Sequence, residues 1–101
     1  GSVWPMWGVW AQSQDVFVVS EPWMSIEEAE TWCDAAISGL SGQYLHRALQ
    51  INMVVCMLDA SPLEREKAAD AFEWELHSQV LYEYPRRVLC FCAAILRAVK
   101  T

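Results

Sequence analysis

Val88-Leu89-Cys90-Phe91-Cys92-Ala93-Ala94-Ile95-Leu96 is the stretch on which the fold turns. It contains no charged residue and is closed by Arg87 on one side and Arg97 on the other. A membrane-spanning helix needs about 20 apolar residues, so this run is far too short to cross a bilayer. It reads as a buried core segment. Taken as a helix from Arg86 to Lys100, it places Val88, Leu89, Phe91, Cys92, Ile95, Leu96 and Val99 on one wide apolar surface. Pro85 marks its upstream boundary. Arg97 and Lys100, near its end, complement the helix dipole.

The other strongly apolar run, Ile51–Leu58, closes a helix predicted over Gln43–Leu58. That helix begins amphipathic, with Tyr44, Leu45, Ala48 and Leu49 on one side, and becomes apolar nearly all round from Met53 onward. Helices apolar on every side sit in the middle of a domain. Both this helix and the C-terminal one are therefore expected at the centre, with Asn52 as an isolated polar group.

Two capping boxes locate the remaining helices. Ser25 with Glu28 opens a helix predicted over Ile26–Leu40, whose buried stripe is Ile26, Ala29, Cys33, Ala36, Ile37 and Leu40. Gly39 and Gly42 are expected to end it through the left-handed conformation that glycine tolerates. Ser61, Pro62 and Glu64 open a second helix, predicted to run to about Glu83, with a main stripe of Ala68, Ala69, Phe72, Leu76 and Val80. Ahead of all four helices, Met6–Ala11 and Val16–Ser20 are short, rich in Val, Trp and Phe, and separated by the polar run Gln12–Asp15. This pattern predicts a β-hairpin over residues 3–23, apolar on both faces. The expected fold class is thus mainly α (α+β), an N-terminal β-hairpin followed by a compact four-helix domain. Residues 3–101 form a single domain, and Gly1-Ser2 reads as a tag remnant.

The chain has 101 residues, 54 % of them hydrophobic, enough for one core. Its net charge of −6 is unevenly placed. Residues 1–46 hold Asp15, Glu21, Glu27, Glu28, Glu30 and Asp34 and no lysine or arginine, whereas residues 47–101 hold seven acids and seven bases. An acidic half disfavours nucleic acid and anionic membranes as partners and favours a basic protein surface. On the first predicted helix, Glu27, Glu30 and Asp34 fall within about 60° of one another, opposite the apolar stripe. On the third, Leu63, Trp74 and Leu81 form a second apolar sector flanked by Lys67, Asp70 and His77. A tryptophan ringed by charge suits an interface hot spot. Six tryptophans are many for so small a core, and Trp4, Trp7 and Trp10 recur at a spacing that alternates faces in a strand.

Signals for chemistry are weak. Cys33, Cys56, Cys90 and Cys92 each lie within apolar sequence and lack the paired spacing of a zinc site, so all four read as reduced core cysteines. His46 and His77 stand on different helices, and Glu73 four residues before His77 suggests an ordinary helix-surface pair. Arg47, Arg86 and Arg87 have no obvious local partner, and pairing inside the domain is expected. No glycine-rich phosphate loop or nucleophile elbow is present.

The reading is a cytoplasmic, non-enzymatic protein-binding module without metal or cofactor. It acts as an acidic inhibitor or adaptor that docks on a basic surface, such as that of a nucleic-acid-processing protein. Glu27, Glu30, Asp34, Trp7, Trp10, Trp74 and Leu81 are the partner-binding candidates. A homo-oligomer pairing through the Trp-rich hairpin is the second reading, and a small Cys/His enzyme the third.

Overall fold

The computed structural model describes residues 24–40, 44–79 and 83–100. Four helices account for nearly all of them: α1 (Ile26–Ser38), α2 (Leu45–Met57), α3 (Pro62–Ser78) and α4 (Glu83–Ala98). The radius of gyration, 12.4 Å, is close to the ~13 Å of a folded chain of 100 residues. The fold is mainly helical, as the sequence predicts. The hairpin expected over residues 3–23 lies outside the described residues.

Every residue from Val88 to Leu96 is buried, on all sides of α4. α3 packs along α4 most extensively, α2 packs on α4, and α1 packs on α2. The small residues Cys92, Ala93 and Ala94 in the middle of the run leave room for neighbours to approach closely. Immediately after α4, Val99 forms a parallel bridge with Met24, just ahead of α1. The Met24 amide donates to the Ala98 carbonyl and the Lys100 amide to the Met24 carbonyl, both at 2.9 Å. The start of α1 is thereby pinned to the end of α4.

The two serine caps form. The Glu28 amide donates to Ser25 Oγ at 3.1 Å and the Glu64 amide to Ser61 Oγ at 3.2 Å, with Pro62 opening α3. α1 buries Ala29, Cys33 and Ala36, as its stripe predicts. Its end differs from expectation: Gly39 has φ −81°, in the right-handed region. The turn closes instead through hydrogen bonds from the Gly39 and Leu40 amides to carbonyls three residues back, the tighter ending that many helices adopt.

Two boundaries are corrected. α3 stops at Ser78, because Gln79 is already extended (φ −127°, ψ 149°), so the helix does not reach Glu83. Pro85 does not terminate α3. It sits in the first turn of α4, where its missing amide would have had no intrahelical partner. Arg86 and Arg87 consequently fall beyond that first turn, where opposition from the dipole has faded.

A third correction concerns α2, which is not a central helix. It buries Ile51 and Val54 but leaves Leu45, Leu49 and Met53 at 66 %, 54 % and 58 % exposure. Asn52 is exposed as well. Four helices of 13 to 17 residues can enclose only one of their number, and α4 is the enclosed one.

Burying a large apolar side chain stabilises a fold by about 1.5–3 kcal/mol, and emptying its site adds a cavity cost. Phe91→Ala in α4 is therefore expected to lower unfolding free energy by about 3–5 kcal/mol in urea denaturation. Leu63→Ala, at a site 65 % exposed on α3, should stay within about 0.5 kcal/mol.

Candidate protein-docking surface

Glu27, Glu30 and Asp34 are all exposed on α1, sharing its solvent face with Thr31, Ala35 and Ser38. The spacing i, i+3, i+7 makes them one row. Acids in the first turn of a helix are favoured by its dipole, which accounts for Glu27 and Glu28. It does not account for Asp34, in the ninth of thirteen positions, on a helix with no basic residue in its last turn.

The acids of α3 are arranged quite differently. Glu66, Asp70 and Glu73, also at i, i+4, i+7, converge on Arg97 of α4. Arg97 Nε donates to Glu66 Oε2 at 2.7 Å and Nη2 to Asp70 Oδ1 at 2.7 Å. Glu73 completes this clamp, so the pair expected between Glu73 and His77 gives way to one between Glu73 and Arg97. On the other side of α3, Glu75 accepts from Arg47 at 3.0 Å and from Gln50 at 3.2 Å, while Arg47 also donates to Gln50 at 2.8 Å. Arg47 is thus paired inside the domain. Arg65, buried at the start of α3, donates to the Leu58 carbonyl at 3.2 Å.

All seven lysines and arginines of the chain fall within the described residues. Even so, the ion pairs among those residues run from Arg47 and Arg97 to α3, and none reaches Glu27, Glu30 or Asp34. The unneutralised row is felt inside the core. The Cys33 thiol is pushed up to about 12, first by burial and then by the carboxylates of Asp34 and Glu30. The Cys92 thiol, fully enclosed in α4, is also raised, by burial first and then by Cys33.

Trp74 is 72 % exposed, and Leu63 shares its face of α3, with Lys67, Asp70 and His77 exposed around them. The indole and the acidic row thus stand on different helices, α3 and α1. Trp7, Trp10 and Leu81 lie outside the described residues. One surface was not foreseen at all. The outer side of α2 presents Leu45, Leu49, Met53 and Cys56, while the polar Arg47 and Gln50 face inward to α3. Cys56 is therefore an exposed thiol and not a core cysteine, unlike Cys33, Cys90 and Cys92, and all four are free. Among the described residues, no group of three or more His, Cys, Asp or Glu could hold a metal ion. None of the described helices is long and apolar enough to cross a membrane. No family model matches the chain, and neither a curated protein nor a solved structure matches it.

Two outcomes follow from the thiols. In native protein, Ellman's reagent should modify Cys56 quickly and the other three only after unfolding. Cys33 also makes stability depend on alkaline pH. An unfolded thiol ionises near 9.0, whereas folded Cys33 holds its proton to about 12. Its stabilising contribution is complete below pH 9 and falls as pH rises from there toward 12, because the unfolded state then binds fewer protons. Urea midpoints measured across this range should decline, and Cys33→Ala should shallow the decline.

Proposed function

We propose that this chain is a non-enzymatic protein-binding module that docks the acidic face of α1 on a basic protein surface. The observation that carries the reading is the contrast between its two acidic rows. The row on α3 is held and partly compensated from within by Arg97, and that on α1 is left to solvent. Ordinary solvated faces mix signs, but no lysine or arginine precedes Arg47.

Exposed ion pairs contribute only about 0.2–1 kcal/mol each. The acidic row therefore acts mainly by steering and orienting a partner, since charge complementarity governs association rate and specificity more than affinity. Affinity has to come from an apolar anchor, and Trp74 has the chemistry of one. A module of this kind serves as an inhibitor or adaptor. An acidic helix face occupying a surface that otherwise receives phosphates, on a nucleic-acid-processing protein, is its most specific form.

The test is affinity capture from lysate, with the captured proteins quantified by mass spectrometry. Basic proteins retained by the wild-type chain should drop at least tenfold with Glu27→Lys, Glu30→Lys and Asp34→Lys combined. They should also elute as salt rises through a few hundred millimolar, where screening is strong. Glu30→Lys and Asp59→Lys each change the net charge by the same amount at an exposed acid, and only Glu30→Lys should reduce capture. Equal loss from both variants would reduce the effect to net charge and sink the docking face.

A further inference from the structure

We propose that the outer face of α2 is a self-association surface, on which a second copy of this chain lays its own α2 in parallel and in register. The inference does not depend on the acidic face of α1. Soluble monomers seldom leave a continuous apolar strip uncovered. Here Leu45, Leu49 and Met53 are each more than half exposed, and Cys56 continues the strip. Leu45, Leu49, Asn52 and Cys56 are spaced by four, three and four residues, the repeat that keeps a seam facing a partner helix.

Charge and hydrogen bonding both select a second copy as the occupant. α2 contains no aspartate, glutamate or lysine, and its one arginine, Arg47, is turned inward to Glu75. In a chain of net charge −6 this is the face where two copies meet with least repulsion, whereas a basic partner finds nothing on it to pair with. Asn52 sits in the middle of the seam. Against a purely apolar partner its carboxamide would be buried without hydrogen bonds. Against its own copy across a two-fold axis, the two carboxamides each donate and accept, because the group carries both functions. One such asparagine fixes register and favours two strands. The parallel register also sets Cys56 opposite Cys56 one turn further on.

The seam is short. Thirteen residues span about 20 Å, which buries less than the roughly 800 Å² per partner of a stable complex. The dimer is accordingly weak, with a dissociation constant in the micromolar range or above. Sedimentation velocity on the full chain between about 5 and 500 µM should show the mass rising from 11.5 kDa toward twice that value. High salt should strengthen the association by screening the repulsion between acidic chains, the opposite of its effect on docking through α1. Leu49→Glu should abolish dimerisation with an unchanged circular dichroism spectrum, since the site is on the surface. Copper phenanthroline and oxygen, as the oxidant that accepts the two thiol hydrogens, should produce a cross-linked dimer that Cys56→Ser eliminates. A monomer at every concentration overturns the proposal. So does a dimer that survives Leu49→Glu, which would pair through another face. A Leu49-dependent dimer that yields no Cys56 cross-link overturns the parallel register and with it the proposal as stated.

Discussion

Nine consecutive residues of α4 have no side of their helix left for water, and the other three helices are arranged to satisfy that demand. A buried helix of this kind satisfies its backbone internally, but its side chains need apolar neighbours in every direction. α3 supplies Ala69, Phe72 and Leu76, α2 supplies Ile51 and Val54, and α1 supplies Ala29, Cys33 and Ala36. The bridge between Met24 and Val99 closes the arrangement by tying the first described residue to the residue that follows α4. The core therefore spends its apolar surface on one helix. Whatever apolar surface is left over on the others, at Leu45, Leu49, Met53, Leu63 and Trp74, has to remain outside.

Electrostatics follows from the same packing. Because α3 and α4 lie side by side, a single guanidinium on α4 reaches three carboxylates on α3. The same contact brings α2 close enough for Arg47 and Gln50 to meet Glu75. Arg47 and Arg97 are drawn to α3, and among the described residues no ion pair reaches the acids of α1. The asymmetry counted along the sequence is thus realised in space as two acidic helices of different kinds, one compensated and one not. The elevation of the Cys33 thiol by Asp34 and Glu30 is the interior signature of the uncompensated one.

Local chemistry was the readable part of the sequence. Ser25 and Ser61 cap the helices they were expected to cap, because a serine side chain three residues before an orphan amide needs no tertiary information. The alignment of Glu27, Glu30 and Asp34 was readable for the same reason, as it depends on helical pitch alone. Features decided by distant residues were not. That Arg97 would hold Glu66, Asp70 and Glu73 depends on how α3 lies against α4, across some 24 to 31 residues of sequence. Pro85 is compatible with both the end of one helix and the first turn of the next, and only the extended conformation at Gln79 decides between them. The ending at Gly39 likewise had two solutions, and the chain adopts the right-handed one.

α2 shows most clearly why a sequence pattern can identify a helix and still misplace it. It has apolar residues on both sides, so periodicity gives no preferred rotation about its axis. Turned to bury Leu45, Leu49 and Met53, it would gain about 1.5–3 kcal/mol for each fully buried side chain and lose as much at Ile51, Val54 and Leu58. That near-balance leaves the decision to polar groups. With the observed rotation Arg47 and Gln50 meet Glu75 in a part-buried network. With the opposite one Glu75 would lose both donors at a site where unmet hydrogen bonds cost about 1–3 kcal/mol each. Three polar side chains thus fix the rotation, and in doing so they turn a second apolar face outward. Within this chain α1 and α4 both pack on α2, and the strip of Leu45, Leu49 and Met53 that the locked rotation turns outward is the surface on which the proposed second copy would lie.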